Sequence, residues 1–394
     1  MIAFFHASCK RMRLLLLPLF AVILAACDPA AMGGLAGSGG PKIDTSAPVP
    51  VALLIPRGGS SSDELLAKNL ENAARLAMRD LDGVTIDLRV YATAGRADTA
   101  AAVATQAVNE GAKIIIGPVY GEAANAAGVA VASKGINVLS FSNNPTIAGG
   151  NVFVLGPTFD NTANRLVGYA KKTGKDRIVI VSGQDVAGQL GRSAIEQAIR
   201  ANGATLAGNV DYALSQESVI AAVPRVKATV DASGANALFL TTSSASALPL
   251  FAQLLPEAGL QVATTQYIGL TRWDIPRQTL ELPGVQGGWF ALPDPAASAA
   301  FAQRYSAAYG SEPHPLAGLA FDGIAAVGAL VKSGKSNALT GAALTQGAGF
   351  KGASGIFRLR PNGTNERGLA VATIRNNKVV VIDAAPRAFG GAGF

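Results

Sequence analysis

Between residues 51 and 268 the chain alternates short apolar runs with stretches of helical periodicity, and this rhythm restricts the fold more than any other feature. The runs cover 51–55, 84–91, 113–117, 137–140, 177–182, 237–241 and 265–268. Ile114, Ile115 and Ile116, and Ile178 through Val181, are apolar without a break, as expected of parallel strands covered on both faces. The intervening segments read as helices. In the first, Ser61 and Glu64 have capping-box spacing, and Leu66, Leu70, Ala73, Ala74, Ala77 and Leu81 share one face. Strand, helix, strand at this spacing predicts an α/β fold with parallel sheets and right-handed crossovers.

The rhythm is interrupted twice. A short run at 152–155 leads into Gly156-Pro157 before a new helix begins at Asn161, and a Pro- and Gly-rich stretch spans 282–295. Both are expected to be crossings between two lobes. Helices are expected at 296–309 and 316–333. The C-terminal part changes character, with strands predicted at 355–360 and 369–375 about Arg360-Pro361-Asn362-Gly363, and at 378–382 after Asn376-Asn377. The expected architecture is two doubly wound parallel-sheet lobes joined by a multi-strand hinge, with a C-terminal hairpin. Lobe 1 would comprise 50–157 plus 290–346, lobe 2 158–289 plus 347–384, and the tail 385–394.

Ahead of the first strand, Lys10, Arg11 and Arg13 precede an apolar run from Leu14 to Ile23 that ends in Leu24-Ala25-Ala26-Cys27. A basic segment, a short apolar core and small residues before a cleavage point make a signal peptide, and the run is too short to span a bilayer. The last four residues resemble the lipobox of bacterial lipoproteins, which implies a signal over 1–26 and lipid on Cys27. Met12 is an alternative start. Asp28 resembles a retention signal for the inner membrane, and the sequence leaves open which membrane holds the protein. Residues 27–49, rich in Gly, Ala, Ser and Pro, read as a tether.

Charge and cysteine content exclude several functions. With the basic residues of the signal removed, 30 Lys and Arg face 26 Asp and Glu, a net charge of +4 without a basic stripe, so no nucleic-acid partner is expected. The two cysteines are Cys9 and Cys27, so no disulfide or cysteine-bound metal is available to the mature body. His314, flanked by prolines, is the one histidine after the signal, and a surface residue is a better account of it than a catalyst. No Gly-x-Ser-x-Gly elbow is present, and Gly328 to Ser336 has the wrong spacing for a phosphate loop. An enzyme is not expected, nor a cofactor.

In open parallel sheets the ligand lies beyond the carboxyl ends of the strands. The residues there are small and polar: 57–60, Tyr120 and Gly121, Ser142 to Asn144, Gly183 to Asp185, Thr242 to Ser244, and Gly269 to Trp273. The same residue types cap helices, but six such loops converging on one crevice favour a ligand site. The candidate set is Tyr120, Gly121, Ser142, Asn144, Asp185, Ser243, Arg272 and Trp273, with Arg272 or Trp273 covering a ligand held by Ser142 and Asn144.

The segments 51–56, 115–118 and 135–140, in this order, resemble type I periplasmic binding proteins of the leucine/isoleucine/valine-binding kind. The resemblance runs from about residue 50 to 382. It implies a bilobed body with three crossing strands, closing on an amino acid or amide for an ABC importer, with Gly121, Ser142 and Asn144 against the ligand's carboxylate and ammonium. Val186 and Ser243 stand where those relatives have aromatic contacts. The segments 269–274 and 282–294 resemble lipoprotein activators of peptidoglycan synthases (penicillin-binding protein activators), which use the same fold to dock on a synthase. Ligand capture and synthase docking are therefore both expectations, each for a lipid-anchored protein facing the periplasm.

Overall fold

The computed structural model describes residues 40–390. The signal, Cys27 and most of the tether lie outside them. The first sheet is built from β1 (Val49–Ile55), β2 (Ile86–Ala92), β3 (Ile114–Ile116), β4 (Val138–Ser140) and β5 (Val152–Val154), all parallel, in the order β2-β1-β3-β4-β5. Between them run α1 (Ser61–Met78), α2 (Ala97–Asn109) and α3 (Gly121–Val131). Alternate residues of β1 enter opposite cores: Val51, Leu53 and Ile55 face one cluster, Ala52 and Leu54 the other. This two-sided burial is why the strand reads as an unbroken apolar run. The cap of α1 lies one residue earlier than expected, with Ser60 and Asp63 forming the capping box.

The second sheet follows α4 (Phe159–Lys172). It contains β6 (Arg177–Gly183), β7 (Thr205–Tyr212), β8 (Ala237–Leu240), β9 (Gln266–Gly269) and β10 (Trp289–Pro293), connected in part by α5 (Val186–Ala201), α6 (Gln216–Ser233) and α7 (Leu248–Glu257). Ile178 and Ile180 face one core, Val179 and Val181 the other. Sequence reading omits β7 because it is the edge strand. Exposed Thr205 and half-exposed Asn209 and Asp211 dilute its apolar signal.

The chain then returns as α8 (Pro295–Tyr309), α9 (Ala317–Val331) and α10 (Gly341–Leu344), and α9 packs against α1. A small antiparallel sheet follows, of β11 (Phe350–Gly352), β12 (Gly355–Leu359) and β13 (Asn365–Arg367). Phe350, Phe357 and Leu359 join the core that holds α1 and α9, which differs from the division expected at residue 347. Last come β14 (Leu369–Arg375) and β15 (Lys378–Asp383), which extend the second sheet on the β10 side to give β15-β14-β10-β9-β8-β6-β7. The turn at 360–364 therefore joins β12 to β13, and not to β14 as the sequence suggests. The hairpin across Asn376 and Asn377 is as read, both residues having positive φ (52° and 60°). Since β10 belongs to the second sheet, the crossing expected over 282–295 reduces to its last step, at Asp294.

Three segments pass between the sheets: 155–158, Asp294, and Gly368. Buried polar groups bind them together. The Asn365 side chain donates to the Val154 and Gly156 carbonyls, both at 2.8 Å, and the Asn161 carboxamide oxygen accepts the Arg367 N–H at 2.7 Å. The Asp294 N–H donates to the Ser354 carbonyl at 3.1 Å. The Arg367 guanidinium donates to the Leu155 carbonyl at 3.0 Å, pairs with Asp322 of α9 at 2.9 Å and stacks on Phe357. Full burial pushes the Asp322 carboxyl up, against the pull of Arg367 and the Ala353 N–H. Removing one member of a buried pair strands the other charge in the interior, so Asp322→Ala is expected to cost about 3–5 kcal/mol, measured by guanidinium denaturation.

Candidate functional site

Each sheet has one point where the strand order reverses, between β1 and β3 in the first and between β6 and β8 in the second, and the loops leaving those strands open a crevice. In the first lobe Gly117 makes this possible. Its φ is +90°, and a Cβ there would lie 2.2 Å from the Leu54 carbonyl oxygen, so only glycine lets the loop after β3 pass so close to β1. That loop delivers Tyr120 and Gly121 to the start of α3.

Gly121, Ser142 and Asn144 are brought together. A Cβ on Gly121 would stand 3.4 Å from Asn144 Nδ2 and 3.5 Å from Ser142 Oγ, so the missing side chain leaves a small polar cradle. Ser142 Oγ accepts the Asn144 N–H at 3.1 Å, which frees its own hydroxyl proton for a ligand. Asn144 Oδ1 accepts from the Thr146 N–H and hydroxyl, so this side chain also caps the turn that follows. Tyr120 lies alongside, half-exposed, its hydroxyl donating to Asp63; this bond and those from Ser60 hold the Asp63 carboxyl below its usual range.

In the second lobe Asp185 caps α5, accepting the Gly188 N–H at 3.3 Å. Ser243 forms a hydroxyl pair with Ser246 at 3.1 Å, and the Thr271 hydroxyl donates to the Thr242 carbonyl at 3.2 Å, tying the loop after β8 to the loop after β9. Arg272 is held on that second loop by Asp274, with Nε 2.6 Å from Oδ1. Trp273 is a correction. It is fully buried, packed beneath Gly269 and Gly288 in the second-lobe core, and so closes on no ligand. Val186, in the place of an expected aromatic contact, is 75% exposed at the start of α5.

Two concavities stand out. The larger, about 820 Å³, is an open groove along α7 that belongs to the second lobe alone. The smaller, about 300 Å³, lies at the crossings and is lined from both lobes, by Pro157, Arg272, Pro293 and Arg367 on one side and by Phe301, His314 and Leu319 on the other. Of the two, the smaller has walls from both lobes, and of the residues picked from the sequence Arg272 alone lines it. Gly156, next to Pro157, donates to the Ser142 carbonyl at 3.1 Å, which links the Gly121–Ser142–Asn144 cradle to the wall that Arg272 shares. Among the described residues no group of three or more His, Cys, Asp or Glu is placed to hold a metal ion.

A model of the family described as periplasmic binding protein matches residues 48–378. The chain belongs to this family. Solved structures of periplasmic binding proteins share its fold. A putative branched-chain amino acid ABC transporter protein from Rhodospirillum rubrum is 17% identical, covering 85% of this chain and 100% of its own, with a TM-score of 0.71. A branched chain amino acid ABC transporter periplasmic ligand-binding protein from Burkholderia xenovorans is 20% identical, with 87% and 97% covered and a TM-score of 0.65. A solute binding protein from Rhodopseudomonas palustris, in complex with 3,4-dihydroxybenzoic acid, is 19% identical, with 88% and 99% covered and a TM-score of 0.56. No protein with a curated description matches the sequence.

Pro157, Pro293, Phe301, His314, Leu319 and Arg367 are among the lining residues that sequence reading left out. His314 is half-buried rather than a plain surface residue; its backbone N–H donates to Asn69 at 2.9 Å, and its Nδ1 accepts the Leu316 N–H at 3.2 Å. The signal that places such residues is their position beside lobe crossings. Burial lowers the His314 pKa below its ordinary value of 6.5. Above neutrality folded and unfolded chains both carry the neutral ring; as the pH falls through 6.5 the unfolded chain binds the proton first, and stability drops. Between pH 8 and pH 5 the melting temperature of the wild type should therefore fall further than that of His314→Gln.

Proposed function

We propose that this periplasmic binding protein captures a small ligand between its lobes and presents it to an ABC importer. The observation that carries the reading is the cavity at the crossings, whose walls come from both lobes and include Arg272 of the loop after β9. A body joined by thin crossings and open between its halves can close on a molecule, and closure is what a membrane partner would read. The ligand is a small molecule with a carboxylate or amide end, the class to which amino acids belong. Gly121, Ser142 and Asn144 receive one part of it, with Tyr120 alongside, and Arg272 faces it from the second lobe, with Asp185 and Ser243 on the opposite rim.

Relatives of the same fold support small acids as a class. A substrate-binding protein from Desulfitobacterium hafniense is solved in complex with Leu, and one from Rhodopseudomonas palustris in complex with benzoate. Catalysis is no part of the proposal. The protein is exported by its N-terminal signal and held at the periplasmic face by lipid on Cys27, with a spacer that ends before Ile43, earlier than the tether boundary at 49 read from the sequence, because Ile43 is buried in the first core and bonded to the Ser336 carbonyl.

Calorimetric titration against amino acids, amides and small carboxylates tests the reading. At least one compound should bind saturably, and Ser142→Ala should weaken it by about tenfold, roughly the worth of one hydrogen bond to a charged group. No heat from any compound would contradict capture. Independently, Cys27→Ser should move the protein from the membrane to the soluble periplasmic fraction.

A further inference from the structure

We propose that the interlobe cavity selects a small carboxylic acid with an apolar body and no ammonium group. The inference rests on the capture reading above and narrows its ligand.

The cavity's chemistry is one-sided. Its walls are rigid and apolar, with Pro157, Pro293, Pro313 and Pro315 set around Phe301 and Leu319, and about 300 Å³ accommodates one ring or one branched chain. The ionisable side chains that line it are Arg272, His314 and Arg367, and no Asp or Glu joins them. Arg367 is spent on Asp322 and the Leu155 carbonyl. Arg272 commits Nε and Nη2 to Asp274, which leaves Nη1 outside the fork. Because His314 Nδ1 accepts the Leu316 N–H, the neutral ring carries its proton on Nε2, a second donor. Ser298 and Ser354 add hydroxyls.

A carboxylate entering this space finds donors and positive charge. An ammonium group inside the cavity finds a guanidinium and no carboxylate to replace its water, which is a heavy desolvation cost; Asp185, on the rim in the capture reading, is outside the lining and caps α5. Of the acids beside lining residues, Asp274 holds Arg272, Asp294 caps α8, Glu366 pairs with Arg358 and Glu312 is exposed, while Asp160 is half-buried in the first turn of α4 without a hydrogen bond or ion pair; none of them lines the cavity. The apolar walls also disfavour a polar body, so hydroxylated or multiply charged acids fit less well than a phenyl ring or an isobutyl chain.

The test uses two pairs of probes that differ at one group, titrated calorimetrically into the full mature chain. 4-Methyl-2-oxopentanoate and L-leucine share an isobutyl chain and a carboxylate, and leucine adds the ammonium. Benzoate and benzyl alcohol share a ring, and the alcohol lacks the charge. The oxo acid should bind at least about tenfold tighter than leucine, and Arg272→Gln should weaken benzoate about tenfold while changing benzyl alcohol less than about twofold. Arg272→Lys, which keeps the charge and loses the fork, should fall between, and thermal melts of both variants report that the fold is intact. Leucine binding as tightly as the oxo acid would overturn the inference while leaving capture standing, and loss of that binding in Asp160→Asn would show where its ammonium goes. Benzoate binding unaltered by Arg272→Gln would also overturn it. No heat from any probe would contradict both the inference and the capture reading.

Discussion

The structure depends on how three strands of chain cross between two sheets without a wide interface to hold them. Backbone at a crossing leaves both sheets and loses its ladder partners, and burying it unpaired would cost more than the fold gains. Asn365, Asn161, Arg367 and Asp322 supply those partners: one carboxamide takes the carbonyl that ends β5 and one in the first crossing, another takes the Arg367 N–H, and the guanidinium takes a third carbonyl together with a carboxylate from α9. The polar cluster fixes where the crossings lie. Each lobe is left free to be a rigid body on its own two-sided core.

From that fixed point the site follows. The cavity lies directly against the crossings, so its walls are the residues that flank them: Pro157 beside the first, Pro293 beside the second, Arg367 beside the third. The polar loops stand at the strand-order reversals of the two sheets, Ser142 tied to the first crossing through Gly156 and Arg272 held on the opposite lobe by Asp274. A ligand placed there touches both lobes, so a rotation about the crossings alters its contacts with each of them. The larger groove along α7 shares none of these features, for it moves as one piece with the second lobe.

Much of the architecture is legible in the sequence because the interior strands are buried on two faces, and Val51 through Ile55 or Ile178 through Val181 can hardly be read another way. The edge strand β7 escapes notice since one side of it meets solvent. Strand pairing after residue 350 also escapes, because β12 and β14 carry similar apolar patterns and only the tertiary context sends them to different sheets. Gly121, Ser142 and Asn144, which lie together in the structure, are readable as small polar residues after strands. Trp273 misleads for a physical reason: a large aromatic beside an arginine in a loop suits a ligand lid and a core plug equally, and the small residues at 269 and 288 that let it sink inward are far apart in the sequence. His314 and Arg367 are silent because their role comes from the crossings and not from any local motif.

The central claim is that the lobes close about the crossings on a molecule held between them. Spin labels on Glu122, exposed at the start of α3, and on Glu217, exposed at the start of α6, in a chain whose Cys27 is replaced by serine, would report the distance across the crevice. Pulsed electron paramagnetic resonance should show that distance shorten and its distribution narrow when benzoate is added to saturation. The same distribution with and without bound ligand would contradict closure and leave the protein a rigid body.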